Sequence, residues 1–284
     1  VVGQPSFTAI KPVVVDAKSV RAPQGVWIQG GKLYVADTLN NRVLIWNRIP
    51  TSNEQAADVV LGQPDFNTAP QPDLTKAELN AQPQTLLNPV SVTTDGLRLY
   101  VTDLGHNRVL IWNSIPTRNQ QPADLEIGQK DMQTATPNDS TNLCPSNGTD
   151  SDGKATYPER CGKTLSFPRF ALSDGKRLFV ADGGNDRVLV YNTIPTANAP
   201  VPDVILGQPD ENSSVVTSFT DLFHPLLKQS ASDVTPTPTS LAWDGTNLYV
   251  TDPSNRRVLV FTAAEPRVPI NGVRNAASRE VYAL

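Results

Sequence analysis

The sequence predicts an all-β fold, a β-propeller of four-stranded antiparallel blades, on three observations. One motif recurs four times along the 284 residues. Each copy is flanked by further short apolar runs set between turn residues, so each unit holds four strands. Composition agrees: Pro is frequent (25 residues) and the charged share is only 18%, a chain of short strands and many turns rather than a helix bundle. Four-stranded units at a regular period, with no intervening helices, describe propeller blades.

The first unit places strands near 25–29, 33–37, 42–47 and 58–62. Its central motif, Lys32-Leu-Tyr-Val-Ala-Asp-Thr-Leu-Asn-Asn-Arg-Val-Leu-Ile-Trp-Asn47, returns from Arg98, from Arg177 and from Asn247. The central aspartates Asp37, Asp103, Asp182 and Asp252 are 66, 79 and 70 residues apart. Upstream of each lies a short apolar stretch after a proline. Downstream of the first three come Ile-Pro-Thr and an apolar run ending in Gly-Gln, at Gly62-Gln63, Gly128-Gln129 and Gly207-Gln208. The repeats cover about 23–64, 89–130, 168–209 and 238–262. Four copies predict four blades, with five or six as the alternative if irregular blades hide in the inserts. The fourth copy lacks Ile-Pro-Thr and Gly-Gln, while residues 1–5 read Val-Val-Gly-Gln-Pro. The N-terminal strand is therefore expected to close the ring as the last blade's outer strand, which also hides an edge. On this reading residues 1–262 form the propeller, and 263–284 a C-terminal tail or linker.

The run Leu-Tyr-Val-Ala-Asp at 33–37, a short loop, then Asn-Arg-Val and an aromatic at 41–46 resembles the NHL-repeat propellers, of a secreted bacterial type. Two departures stand out: family blades usually follow at about 40–45 residues, and the family usually has about six. The resemblance implies several possible activities. Some NHL-like propellers are similar to peptidyl-hydroxyglycine amidating lyases, which hold a central metal with several histidines. Related hydrolases and lactonases use carboxylates and calcium, and some NHL domains bind nucleic acid through a basic face.

The net charge of −4, with pI near 5.2, argues against a nucleic-acid partner. No apolar run is long enough to span a membrane. The two cysteines, Cys144 and Cys161, lie in one polar insert; a disulfide closing it is favoured over two free thiols or a metal site. A disulfide implies an oxidising compartment, hence an extracellular, cell-surface or periplasmic protein.

In propeller geometry the D-to-A and B-to-C connections share one face. The long inserts, about 66–88, 130–167 and 210–237, are all D-to-A, so one face is loop-rich, where binding residues tend to sit. The repeated pairs Asp37/Arg42, Asp103/Arg108, Asp182/Arg187 and Asp252/Arg257 flank the B-to-C turns. A residue needed in every blade reads as structural, an Asp–Arg bond pinning the loop, which can be bidentate. Differences between blades are better functional candidates. The two histidines, His106 and His224, map to this face, and Asp103, Arg108 and Phe223 join them as candidate binding residues. Asp150 and Asp152 have the oxygen-rich character that calcium takes, without a full calcium loop. Thr75-Lys-Ala-Glu78 reads as a capping box opening a short helix. No catalytic constellation is legible. The expected function is a non-catalytic extracellular binding or assembly module with no cofactor, its partner a protein, a glycan or neighbouring subunits. The alternative is a metal-dependent lyase or hydrolase with calcium or zinc in a central channel.

Overall fold

The structure is a computed structural model that describes residues 1–10, 14–69, 81–214, 235–262 and 281–283. Four sheets of four strands carry the chain. In order they are β1 (Gly25–Gln29), β2 (Lys32–Asp37), β3 (Arg42–Trp46) and β4 (Val59–Leu61); β5 (Pro89–Thr94), β6 (Leu99–Asp103), β7 (Arg108–Trp112) and β8 (Leu125–Ile127); β11 (Phe170–Ser173), β12 (Leu178–Asp182), β13 (Arg187–Tyr191) and β14 (Val204–Leu206); β15 (Leu241–Trp243), β16 (Asn247–Asp252), β17 (Arg257–Thr262) and β18 (Val281–Ala283). A small hairpin, β9 (Gly148–Thr149) and β10 (Ala155–Thr156), lies in the insert before the third sheet. Each sheet follows sequence order, and the fold is a β-propeller of four blades.

In the first unit all four predicted strands fall close to the observed ones, and β2, β3 and β4 are buried along nearly their whole length. β3, β7 and β13 are buried along their whole length, which is why Arg-Val-Leu is followed by an aliphatic and an aromatic residue rather than by alternating polar ones. Where an aromatic ends such a strand, its polar atom needs a partner. The indole nitrogens of Trp46 and Trp112 donate to the carbonyls of Gln55 and Gln121, at 2.9 and 3.0 Å.

The chain divides into two compact units, Val1–Glu126 with Asp131–Thr136, and Ile127–Lys130 with Pro137–Leu284. Within the first, Tyr34, Val43, Ile45, Val59 and Leu61 meet Leu86, Val92, Leu99, Val101, Leu110 and Trp112 in one cluster. A second cluster gathers Leu33, Val35, Leu44, Trp46, Ala57 and Val60, with Val2, Val20 and Phe66 against it. In the second unit buried apolar residues come from β11–β17, among them Phe179, Leu189, Val190, Leu206, Leu248 and Phe261, and from the insert before β11, with Leu143, Cys161 and Leu165.

In the first three sheets the turn between the second and third strands is a short 3-10 turn that ends on a left-handed residue, Asn41, Asn107 and Asp186 at φ 52, 53 and 54°; in the fourth it is a plain turn that ends on Arg256, also left-handed at 55°. Asn and Asp tolerate this conformation best among residues with a side chain. The Gly-Gln pair has a matching reason. Gly62 lies at φ +89°, and a Cβ there would stand 2.7 Å from the Asn41 carbonyl. The adjacent Gln63 donates from Nε2 to that same carbonyl at 3.0 Å, and Gln208 does so to Asp186 at 2.9 Å.

One detail differs from expectation. Residues 1–5 lie in no strand, and the fourth strand of the last sheet is β18, parallel to β17. The physical reason is the missing Ile-Pro-Thr hairpin. Without a tight return after β17, the next strand arrives through a long connection, which permits a parallel approach.

Candidate functional site

The four Asp–Arg pairs are built alike. Arg42 Nε donates to Asp37 Oδ2 at 2.7 Å, Arg108 to Asp103 at 2.9 Å, Arg187 to Asp182 at 2.9 Å and Arg257 to Asp252 at 2.8 Å. The bond runs through Nε to one carboxylate oxygen, so it is not the bidentate fork envisaged from sequence. Geometry explains this in the first three blades, where the terminal nitrogens are engaged elsewhere. In the first three blades Nη1 donates to a carbonyl downstream, of Phe66, Met132 or Glu211. Nη2 donates to two carbonyls upstream: Asp16 and Ser19, Gln82 and Thr85, or Cys161 and Thr164. The other aspartate oxygen accepts the backbone N–H of Arg21, Leu87 or Ser166. Each pair therefore ties its B-to-C turn to the D-to-A segments on both sides. These side chains are fully buried in the first three blades, where an unpaired guanidinium would be costly.

The second blade departs from this pattern twice. His106 stands where the others have Asn40, Asn185 and Asn255, and its Nδ1 lies 2.8 Å from Asp103 Oδ2. The ring is completely buried, and among the described residues its Nε2 has no hydrogen-bond partner. Glu126, the central residue of β8, replaces the Val60 of β4 and the Ile205 of β14; its Oε2 lies 3.6 Å from Arg108 Nη1. Burial pushes the Glu126 carboxyl up to about 7, against the opposing pull of Arg108. Burial also drives the Asp103 carboxyl upward, but the charges of His106 and Arg108 outweigh it and hold it below the ordinary aspartate range. At Asp182 burial wins over Arg187 and the bonds from Ser166 and Asn185, and the carboxyl is raised.

The third blade's insert carries the disulfide Cys144–Cys161, with Cα atoms 5.8 Å apart. Both cysteines are buried, while residues 145–155 between them are exposed. The β9–β10 hairpin is ordered by its own turn: Asp150 Oδ1 accepts the N–H groups of Asp152 and Lys154, both at 2.9 Å. That oxygen bonds the backbone of its own turn. Among the described residues no group of three or more His, Cys, Asp or Glu side chains is placed to hold a metal ion.

A residue that sequence reading passed over is Phe167. Each first strand is entered through a residue before proline, Ala22, Asn88, Phe167 and Thr237, and all four are left-handed at φ 46–49°. Proline restricts its predecessor, and a bulky side chain makes the conformation more costly still. Phe167 is nonetheless 47% exposed, an aromatic in a place where small or polar residues stand elsewhere. That substitution pattern was the signal available in the sequence. Tyr157, in the same insert, is 37% exposed. Of the sequence candidates, Asp103, His106 and Arg108 are in mutual contact; Phe223 and His224 lie outside the described residues, as does the capping box at 75–78.

No family model matches the chain, and no curated protein matches it in sequence. Solved structures similar to it include an auxiliary nutrient binding protein from Bacteroides ovatus, 12% identical, with a TM-score of 0.44 over 85% of this chain and 48% of that one. A protein from Lactobacillus plantarum is 12% identical at a TM-score of 0.42, over 87% and 53%. The periplasmic gluconolactonase of Pseudomonas aeruginosa is 13% identical at 0.40, over 85% and 50%. The chain spans about half the length of the solved structures it matches. Among the described residues no helix is long and apolar enough to cross a membrane.

Proposed function

We propose that this chain is a non-catalytic binding or assembly module of NHL-type blades, which meets a protein, a glycan or neighbouring subunits through its loop-rich side. Phe167 is the observation that carries the reading. The left-handed position before proline is common to all four blades and is filled by Ala22, Asn88 and Thr237 in the others, so the repeat does not require a large exposed ring there. Exposed aromatic anchors dominate recognition surfaces. The disulfide-based hairpin of the same insert supports the reading by offering an ordered, exposed loop. The disulfide also favours an oxidising compartment: extracellular, cell-surface or periplasmic. This function requires no cofactor.

Phe167→Asn separates use from packing, because Asn is the residue at the equivalent position 88. The variant is expected to unfold at higher temperature than the parent and to lose at least tenfold in affinity, read on a glycan array and by sedimentation for self-association. Unchanged binding on every glycan that the parent retains, with unchanged self-association, would remove the ring from the binding surface.

A second reading rests on Asp103 and His106. A carboxylate orients the imidazole through Nδ1 and leaves Nε2 without a partner, an arrangement suited to proton transfer. It supports the alternative of a lyase or hydrolase, in which calcium or zinc would be the metal. Lactone hydrolysis that disappears in His106→Asn would favour this reading over the binding module.

A further inference from the structure

The inserts that precede the second and third blades share one local structure. The Gln82 and Cys161 carbonyls accept from the N–H groups of Thr85 and Thr164, both at 3.2 Å, and also from Nη2 of Arg108 and Arg187, at 2.9 and 3.0 Å. The residue just before differs. In the second blade it is Ala81, fully buried; in the third it is Arg160, only 5% exposed. The shared structure is built with a small apolar residue, and the third blade puts a guanidinium in its place.

That guanidinium is only partly satisfied. Its Nη2 lies 2.6 Å from Glu159 Oε1. Its Nε and Nη1 are buried, and among the described residues they have no hydrogen-bond partner. Nearby Arg187 shows the ordinary arrangement, with all three nitrogens donating. Burial raises the Asp186 carboxyl, and the charge of Arg160 is among the pulls that lower it. Yet the Asp186 oxygens accept from Thr237 N–H and Ser214 Oγ, at 2.8 and 3.3 Å, and not from Arg160. The single carboxylate on Arg160 therefore belongs to Glu159, whose side chain is 77% exposed. An ion pair with so exposed a partner is weak, while donors left unmade on a buried cation are costly.

We propose that Arg160 is a binding site for a carboxylate-bearing ligand, and that Glu159 fills it as an internal stand-in until such a ligand arrives. The planar guanidinium matches a carboxylate with two parallel bonds, which a spherical anion cannot reproduce. Glu159 engages one nitrogen only and can turn into water, which leaves the guanidinium edge to a ligand from the solvent side. The site is separate from Phe167 and does not rest on that ring's role.

The test uses the full chain with acetate as the probe, followed by NMR at the Arg160 Nε–H and the Cys161 amide, against sodium chloride at equal ionic strength. Glu159→Ala removes the internal competitor and is expected to show a saturable acetate shift, with binding about fivefold tighter than in the parent, the factor an exposed ion pair sets. Arg160→Ala restores the residue of the second blade, so it should fold, and its Cys161 amide should no longer respond. Arg160→Lys keeps the charge without the fork and should lose the preference for acetate over chloride. No saturable shift in Glu159→Ala, binding there no tighter than in the parent, an equal response to chloride, or a Cys161 response that survives in Arg160→Ala would overturn the proposal. Phe167→Asn should leave the acetate response intact, so the two sites are read separately.

Discussion

The second and third blades hold the same Asp–Arg pair in different surroundings. In the third, Asp182 and Arg187 are completed by Asn185, and Ile205 stands at the centre of the outer strand. In the second, His106 replaces the amide and Glu126 replaces the aliphatic residue. The common part ties a turn to two loops and is needed wherever such a turn occurs. The variable part adds two ionisable groups to a buried site that the third blade completes without them. What the blades share is architecture; where they differ is where a particular chemistry can reside.

The largest expected effects come from breaking the shared part. Asp182→Ala would leave Arg187 buried and unpaired, at a cost of about 3–5 kcal/mol. Asp103→Ala is expected to cost less, because Glu126 lies 3.6 Å from Arg108 and can take over part of the pairing. Denaturant unfolding of the two variants measures the difference; equal losses would mean that Glu126 does not compensate.

The disulfide is the next largest expected contribution, and it belongs to the third blade's insert alone. Arg187 donates to the carbonyl of Cys161 itself, so the bridge steadies the loop that the pair holds. Replacing both cysteines by Ser should cost about 3 kcal/mol for a loop of this length, read as a lower midpoint of unfolding. The second blade, without such a bridge, should keep its amide protection in that variant.

The repeat made most of the fold legible. Strands declared themselves through Arg-Val-Leu and Leu-Tyr-Val, because burial on both faces leaves little freedom in residue type. The parallel approach of β18 was not legible, since only the missing hairpin hinted at it. The Asp–Arg pairs were recognisable, but the arginine's other partners were not: they are backbone carbonyls, which carry no residue signature. His106 stood out as a histidine in an asparagine's place. Glu126 was equally visible, a charge at the centre of an apolar outer strand, yet it becomes meaningful only when β8 is aligned on β4 and β14. Phe167 was visible as an aromatic where Ala22, Asn88 and Thr237 stand in the other units, but its left-handed backbone and its exposure were not.

That the second blade adds two buried ionisable groups, His106 and Glu126, to the Asp–Arg site it shares with the third is tested most directly by the pH dependence of stability in the parent and in Glu126→Val. The Glu126 carboxyl, raised from 4.5 to about 7 in the fold, binds a proton more readily when folded than when unfolded. Its burden on stability is absent below pH 4.5, grows as pH rises, and is complete above about 7. The parent should therefore lose stability relative to the variant across that window. At pH 8 the variant should be the more stable by about 1–3 kcal/mol, since an apolar residue replaces a buried charge. Parallel stability curves for the two proteins between pH 4 and 8 would contradict the account.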